Sequence, residues 1–379
     1  MIYLDNAATK AISKVALDAM LPFETEYYGN PSAAYDFAGK GKEVIESTRK
    51  IVAKAINVKE KEIYFTSGGT EADNWALKSV AMENIEKGNE IISTKIEHMA
   101  VLNSLEFLKK HGFIIRYARV MENGLIDLRD LRRKINNKTI LISCMYANNE
   151  IGTIEPIEEI GNIARANNIL FHTDAVQTVG HIPIDCKKCN INLLSSSCHK
   201  FGGPKGVGFL YADENSNIAS FIHGGSQESG LRAGTSNVSG IAGMGAALQE
   251  SLKNMDIWNK KIVSMRNYFI NRIMREIPYT RLNGDLYNRL PNNINISFQD
   301  VDGIALLEAL FSEGICVSGA SACKSGEHSV SHVLEAIGVP PECIRGTMRI
   351  TLSETNTIKE LDFVIERIKT AVFSLRKLR

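Results

Sequence analysis

Short apolar runs recur along the first two thirds of the chain, each followed by a polar turn and then by apolar positions at helical spacing. Glu62-Ile63-Tyr64-Phe65-Thr66 reads as a strand, Ser67-Gly68-Gly69-Thr70 as a turn, and Glu71 to Ile85 as a helix. Further strands are predicted over 89–94, 114–120, 139–146, 169–174 and 193–196. Another, over 206–211, is separated from its predecessor by only a turn. Helical patterns alternate with most of them, which predicts right-handed βαβ units and a mostly parallel sheet covered on both faces. After Asn237 the pattern changes. Residues 240–276 read as one or two long helices that bridge to a second region. There, 292–297, 301–312, 315–318 and 349–352 read as a smaller α+β unit closed by a helix over 358–378. The expected division is a large domain over residues 12–255 and a small one built from 1–11 and 256–379.

In an open parallel sheet, ligands gather outside the carboxyl ends of the strands. The polar residues just past the predicted strands are Ser67 to Thr70, Glu97-His98, Asn148-Asn149-Glu150, Asp174 to Gln177 and Ser197-Cys198-His199-Lys200. Their clustering predicts one active site. Composition narrows its nature. The 379 residues suit two closely packed domains, and 44 basic against 43 acidic residues give a net charge of +1. No field exists to collect nucleic acid or an anionic membrane, although a few aimed groups still suffice to bind a phosphate. The start Met1-Ile2-Tyr3-Leu4-Asp5 lacks the form of a signal peptide. No apolar stretch reaches the roughly 18 residues that span a bilayer. Seven scattered cysteines predict reduced thiols in a cytoplasmic protein.

Three features carry candidate chemistry. Lys200 follows an apolar strand and precedes Phe201-Gly202-Gly203. Such a lysine is either a surface residue in a loop or a partly buried amine, and a buried amine loses proton affinity and can form a Schiff base with an aldehyde cofactor. Asp174 closes its strand, where it either caps the following helical turn or pairs with a cation such as a pyridinium nitrogen. Ser67-Gly68-Gly69-Thr70-Glu71, between strand and helix, is a candidate phosphate cradle: glycines admit the anion and a helix N-terminus supplies N–H groups. It matches neither G-x-x-x-x-G-K-[ST] nor G-x-G-x-x-G, so a nucleotide-dependent phosphate-loop or dinucleotide enzyme loses its main support.

Taken in order, these residues resemble the cysteine desulfurases, in the class V aminotransferase group of fold-type I pyridoxal-phosphate enzymes. The resemblance runs through Tyr3 to Thr9, Gly29-Asn30-Pro31-Ser32, Thr66 to Asn74, Glu97-His98, Ala147 to Gly152 and Asp174 to Gln177. It continues through Ser197 to Lys200, Pro204 to Gly208, Arg232-Ala233-Gly234-Thr235 and Ser321-Ala322-Cys323. It implies an α/β fold with a mostly parallel seven-stranded sheet, a smaller C-terminal α+β domain and bound pyridoxal 5'-phosphate. By resemblance, Lys200 is the Schiff-base lysine and proton shuttle, and His98 stacks on the pyridine ring. Asp174 pairs with the ring nitrogen, Gln177 bonds the phenolic oxygen, and Asn149 lies near the ring. Gly69, Thr70, Ser197 and His199 hold the phosphate, and Thr235 reaches the phosphate of a neighbouring subunit in a homodimer. Arg349, with Asn30, grips the carboxylate of L-cysteine.

The resemblance makes Cys323 the acceptor of the sulfur as a persulfide, which passes to an acceptor protein for iron–sulfur clusters or tRNA thiolation. The residues allow two readings of Cys323, an inert buried thiol or a reactive one. Its neighbours Ser321, Ala322, Lys324 and Gly326 offer little apolar cover, and Lys324 favours the thiolate. The loop departs from long-loop members of the family at Ala320 and Lys324, and Lys10 stands where a second Thr is common. Cys186-Lys187-Lys188-Cys189 has no second pair to complete a metal site. His328 and His332, four apart, could share a helix face as ligands, but His332 reads rather as a seat for the helix beginning near Ser331, and no metal is expected. The rivals are a selenocysteine lyase or other class V enzyme on the same scaffold, and a non-catalytic scaffold that binds sulfur-transfer partners.

Overall fold

A computed structural model describes residues 1–319 and 330–377. Ala320, Ser321-Ala322-Cys323, Lys324 and His328 lie outside the described residues. The strands are β1 (Ile2–Tyr3), β2 (Ile63–Thr66), β3 (Glu90–Thr94), β4 (Ile114–Ala118), β5 (Thr139–Ser143), β6 (Leu170–Asp174), β7 (Leu193–Ser197), β8 (Gly208–Ala212), β9 (Thr280–Leu282), β10 (Asn293–Phe298), β11 (Ile315–Cys316), β12 (Ser318–Gly319) and β13 (Thr347–Thr351). The helices are α1 (Lys14–Thr25), α2 (Gly39–Ala55), α3 (Gly69–Glu83), α4 (Met99–Lys110), α5 (Leu128–Lys134), α6 (Ile157–Ala166), α7 (Val238–Glu276), α8 (Gly303–Ser312), α9 (His332–Ala336), α10 (Pro341–Ile344) and α11 (Ile358–Lys377).

Seven strands form the central sheet in the order β2-β8-β7-β6-β5-β3-β4. All run parallel except β8, which is antiparallel to both its neighbours. The segment between β7 and β8 is too short for a helical crossover, so the chain turns straight back. Successive residues of each strand serve opposite faces. Ile91, Leu141, Leu193 and Leu210 pack with Trp75, Leu77 and Leu105 of α3 and α4. Ile92, Ile142, Leu194 and Phe209 pack with Ile160 of α6 and with Met244 and Leu248 of α7. Burial on both faces explains why these strands read as unbroken apolar runs.

A four-stranded antiparallel sheet, β12-β13-β10-β9, has its own core. Ile294, Ile296 and Ile350 meet Phe269 and Ile273 of α7 and Val364 and Ile368 of α11. The helix α7 is a single continuous rod of 39 residues, about 58 Å long. The boundary expected near residue 255 falls inside it. Its first part contributes to the core of the central sheet and its last part to the core of the smaller sheet.

The strand expected over 315–318 is two short pieces in different sheets. β11 pairs with β1, and β12 pairs with β13. The N-terminal strand accounts for the split, because it supplies β11 with a parallel partner of its own. The same pairing, with an Asp5–Thr351 bridge, fixes residues 2–5 against the smaller sheet and delivers Ala7 and Ala8 to the space between the two sheets.

Candidate active site

The carboxyl ends of β2, β3, β5, β6 and β7 open on one cavity of about 440 Å³. Of the residues singled out from the sequence, Gly69, Thr70, His98, Asn149, Asp174, Gln177, Ser197, His199, Lys200 and Arg349 all line it. Asn30 does not. It is exposed, and its side chain accepts from the N–H of Ser32 in a local turn. Thr235 lies in a separate cleft with Glu228, Arg232 and Ser67. Cys323 is outside the described residues.

One wall is the start of α3. Gly68 caps it with φ +147° and ψ −176°, a backbone region open essentially to glycine alone. A Cβ on Gly69 would sit 2.6 Å from Val176 Cγ2, so the glycine lets the chain close over the loop after β6. The opening N–H groups of a helix have no intrahelical acceptors and carry its positive dipole. Glu71 steadies the turn: it accepts from the Ser67 N–H and pairs with Arg232 at 2.8 Å.

Asp174 forms the floor. Its carboxylate accepts from the Val176 N–H at 2.9 Å. Burial raises its proton affinity, while His98, this N–H and Lys200 pull it back down. The His98 Nδ1 accepts from Ala100 N–H at the start of α4, which places the proton of the neutral ring on Nε2. A second carboxyl group, Asp73, stands beside Asp174. A carboxylate oxygen of Asp73, one of Asp174 and a ring nitrogen of His98 lie within 4.8 Å of one another.

Lys200 sits in a 3-10 turn directly after β7. Its Nζ donates to Ala7 O at 2.6 Å and to Ala8 O at 2.8 Å, and Gln177 Nε2 shares the Ala7 carbonyl. The His199 Nδ1 meets Thr9 Oγ1 at 3.1 Å. Burial, with Lys200 and Lys205 nearby, pushes the His199 imidazole down to about 4, so it is neutral at pH 7. Opposite, Arg349 projects from β13. It pairs with Asp5 at 2.7 Å and donates to Ser318 Oγ and Asn149 O, while its Nε is buried without a partner.

The sequence pattern by itself gives no role to Asp5 or Asp73, although they fall within Tyr3 to Thr9 and Thr66 to Asn74. Asp73 is one helical turn past Gly69 and shares its face, a spacing that points it at the cavity. Asp5 gave no such signal, because its place beside Arg349 depends on the β1–β11 pairing. Outside the cavity, His332 Nε2 bonds Glu97 O, and Ser331 caps α9. Cys186 and Cys189 are buried in the core.

The class-V aminotransferase profile matches residues 2–364. A cysteine desulfurase IscS of Clostridium botulinum is 47% identical over 379 residues, all of this chain and 96% of that protein. A solved NifS-like protein superposes with a TM-score of 0.93 at 37% identity, covering 99% of this chain and 100% of the other. A structure described as SspA in complex with cysteine superposes with a TM-score of 0.84 at 35% identity, over 94% of this chain and 100% of that one. Matched from end to end in sequence and in fold, the chain belongs to the class-V aminotransferase family, on its cysteine desulfurase branch.

Proposed function

We infer that this protein is a pyridoxal-phosphate-dependent cysteine desulfurase, which converts L-cysteine to L-alanine and takes up the sulfur as a persulfide on Cys323. The observation that carries this reading is the single cavity. In it an amine (Lys200), a buried carboxylate (Asp174), a glycine-opened helix N-terminus and an arginine fork face one another. The cysteine held by a solved relative supports the substrate.

The residues fit the cofactor. Gly68 and Gly69 bring the start of α3 close against Ser197 and Val176, and with Thr70, Ser197 and His199 they would hold a phosphate at its N–H groups. Asp174 would meet the ring nitrogen, Gln177 the phenolic oxygen, and His98 and Asn149 the ring. Lys200 is the amine that would anchor the aldehyde. When bound, pyridoxal phosphate supplies an electron sink conjugated to the substrate Cα.

The chain's own groups do the rest. Arg349 orients the substrate carboxylate through its planar fork. Lys200 Nζ, held near Ala7 O and Ala8 O, takes and returns the Cα proton. The Cys323 thiolate forms an S–S bond as the substrate Cβ–S bond breaks. The electron pair of that bond stays with carbon, and a proton completes alanine, so no outside oxidant is needed. Thr235, off the cavity in its own chain, would serve the phosphate of a second subunit in a homodimer.

The persulfide would pass to an acceptor protein for iron–sulfur assembly or tRNA thiolation. Among the described residues, no helix is long and apolar enough to cross a membrane. The described cysteines are all free, which supports a cytoplasmic setting.

The test is sulfide release from L-cysteine under thiol reductant. Lys200→Ala and Cys323→Ala are both expected to abolish turnover. Full activity in Cys323→Ala with none in Lys200→Ala would show an elimination without a sulfur carrier.

A further inference from the structure

Asp73 has no part in the chemistry assigned so far, yet it is 1% exposed in a wall of the same cavity. Its Oδ1 is buried without a hydrogen-bond partner. Ser195 bonds the carboxyl group, and the same Ser195 Oγ meets His172 Nε2 at 3.0 Å. His172 Nδ1 in turn meets Ser143 Oγ at 2.9 Å, and Nε2 is 3.6 Å from Asp73 Oδ1. Burial pushes the His172 imidazole down to about 3, so it is neutral and no salt bridge forms. His98 lies within reach of both acids, and Lys200 acts on Asp174 but not on Asp73. The other acids facing Asp73 are Asp174 and Glu97, and Glu97 is itself buried with its proton affinity raised. Two buried carboxylates within 4.8 Å repel each other, and one of them keeps a proton.

We propose that Asp73 is a positioning residue for Asp174: the two form a carboxyl pair with one proton, kept on Asp73, so that Asp174 faces the cofactor as the single anion. This rests on the reading that Asp174 meets the ring nitrogen. The burial and the Asp174 charge that hold the proton in place also push the Asp73 carboxyl well above the usual carboxylate range. Were the proton on Asp174 instead, the floor of the cavity would present a neutral acid to the ring, and the electron sink would lose its counter-charge.

The pair makes a prediction that a merely structural aspartate does not. An acid that stays protonated in the folded state binds more protons folded than unfolded once the pH exceeds its ordinary value. Wild type therefore loses stability as pH rises from about 4 toward the raised value. Asp73→Asn keeps the size and the neutral hydrogen bonds but not the proton. In the cofactor-free protein, its melting temperature relative to wild type should rise with pH, by about 1–2 °C per unit above pH 5. A variant that melts below wild type, with a gap constant or widening at high pH, overturns the proposal, because Asp73 is then an ionised, stabilising group.

A second measurement needs no variant. Isotope-edited infrared spectra of wild type with 13C-labelled aspartate, which separates it from the buried glutamates, should show one protonated aspartic acid at pH 7.5 (about three units above an ordinary carboxylate). Its absence overturns the pair. Failure of wild type to take up pyridoxal phosphate, read by absorbance, would instead sink the cofactor reading and leave the infrared result intact.

Discussion

Replacing Arg349 separates two things that its position combines. Its guanidinium is engaged by Asp5 at 2.7 Å, with side chains 11% and 18% exposed. At an effective dielectric of about 20, two charges at that distance attract by roughly 6 kcal/mol, most of which desolvation consumes. Arg349→Ala leaves Asp5 without its cation and should cost about 1–3 kcal/mol in denaturant unfolding, once residual exposure is allowed for. It also removes the fork proposed for the substrate carboxylate, so KM for L-cysteine should rise about 10- to 100-fold. Asp5→Asn acts in the opposite direction on binding. It frees the fork that the substrate must otherwise win from Asp5, and KM should fall about two- to fivefold while stability drops by about 1 kcal/mol. A double-mutant cycle on unfolding should give a coupling of about 1–2 kcal/mol. If Asp5→Asn raises KM as steeply as Arg349→Ala, Asp5 orients the arginine rather than competing for it. If Arg349→Ala leaves KM unchanged, the carboxylate is held elsewhere.

Glu155 is buried, its carboxyl pushed up to about 8 by burial, and one oxygen accepts from the Ile126 N–H. The unfolded state releases that proton near pH 4.5, so its cost accumulates up to about pH 8. Glu155→Gln should therefore melt higher than wild type at pH 8, by about 1–3 kcal/mol in unfolding free energy, with the gain vanishing near pH 4. Gly69→Ala drives a methyl against Val176. Cofactor affinity, followed by absorbance, should fall by about 1–3 kcal/mol, and Val176→Ala in the same chain should restore much of it. Ser331→Ala removes the cap of α9 and the contact of its hydroxyl with Glu150, and should cost about 1 kcal/mol by thermal unfolding.

The sequence by itself determined the central sheet. Runs such as Thr139 to Ser143 and Leu193 to Ser197 are short, bounded by turns and without polar alternation, the pattern of a strand buried on both faces. It also determined where chemistry gathers, because Ser67, His98, Asp174 and Lys200 all lie at or just past the ends of predicted strands. Ten of the residues it singled out share one cavity. What it left open depends on distant pairings. The β1–β11 contact joins residues 2–3 to 315–316, and no local pattern encodes it. Yet it sets Asp5 against Arg349 and brings Ala7 and Ala8 under the Lys200 amine. Asp73 reads locally as one polar position of a helix. Only the packing of α3 on β6 and β7 removes its water and sets it beside Asp174. Periodicity records which face a residue shares; the charge that a buried acid can carry is decided by the groups the tertiary fold places around it.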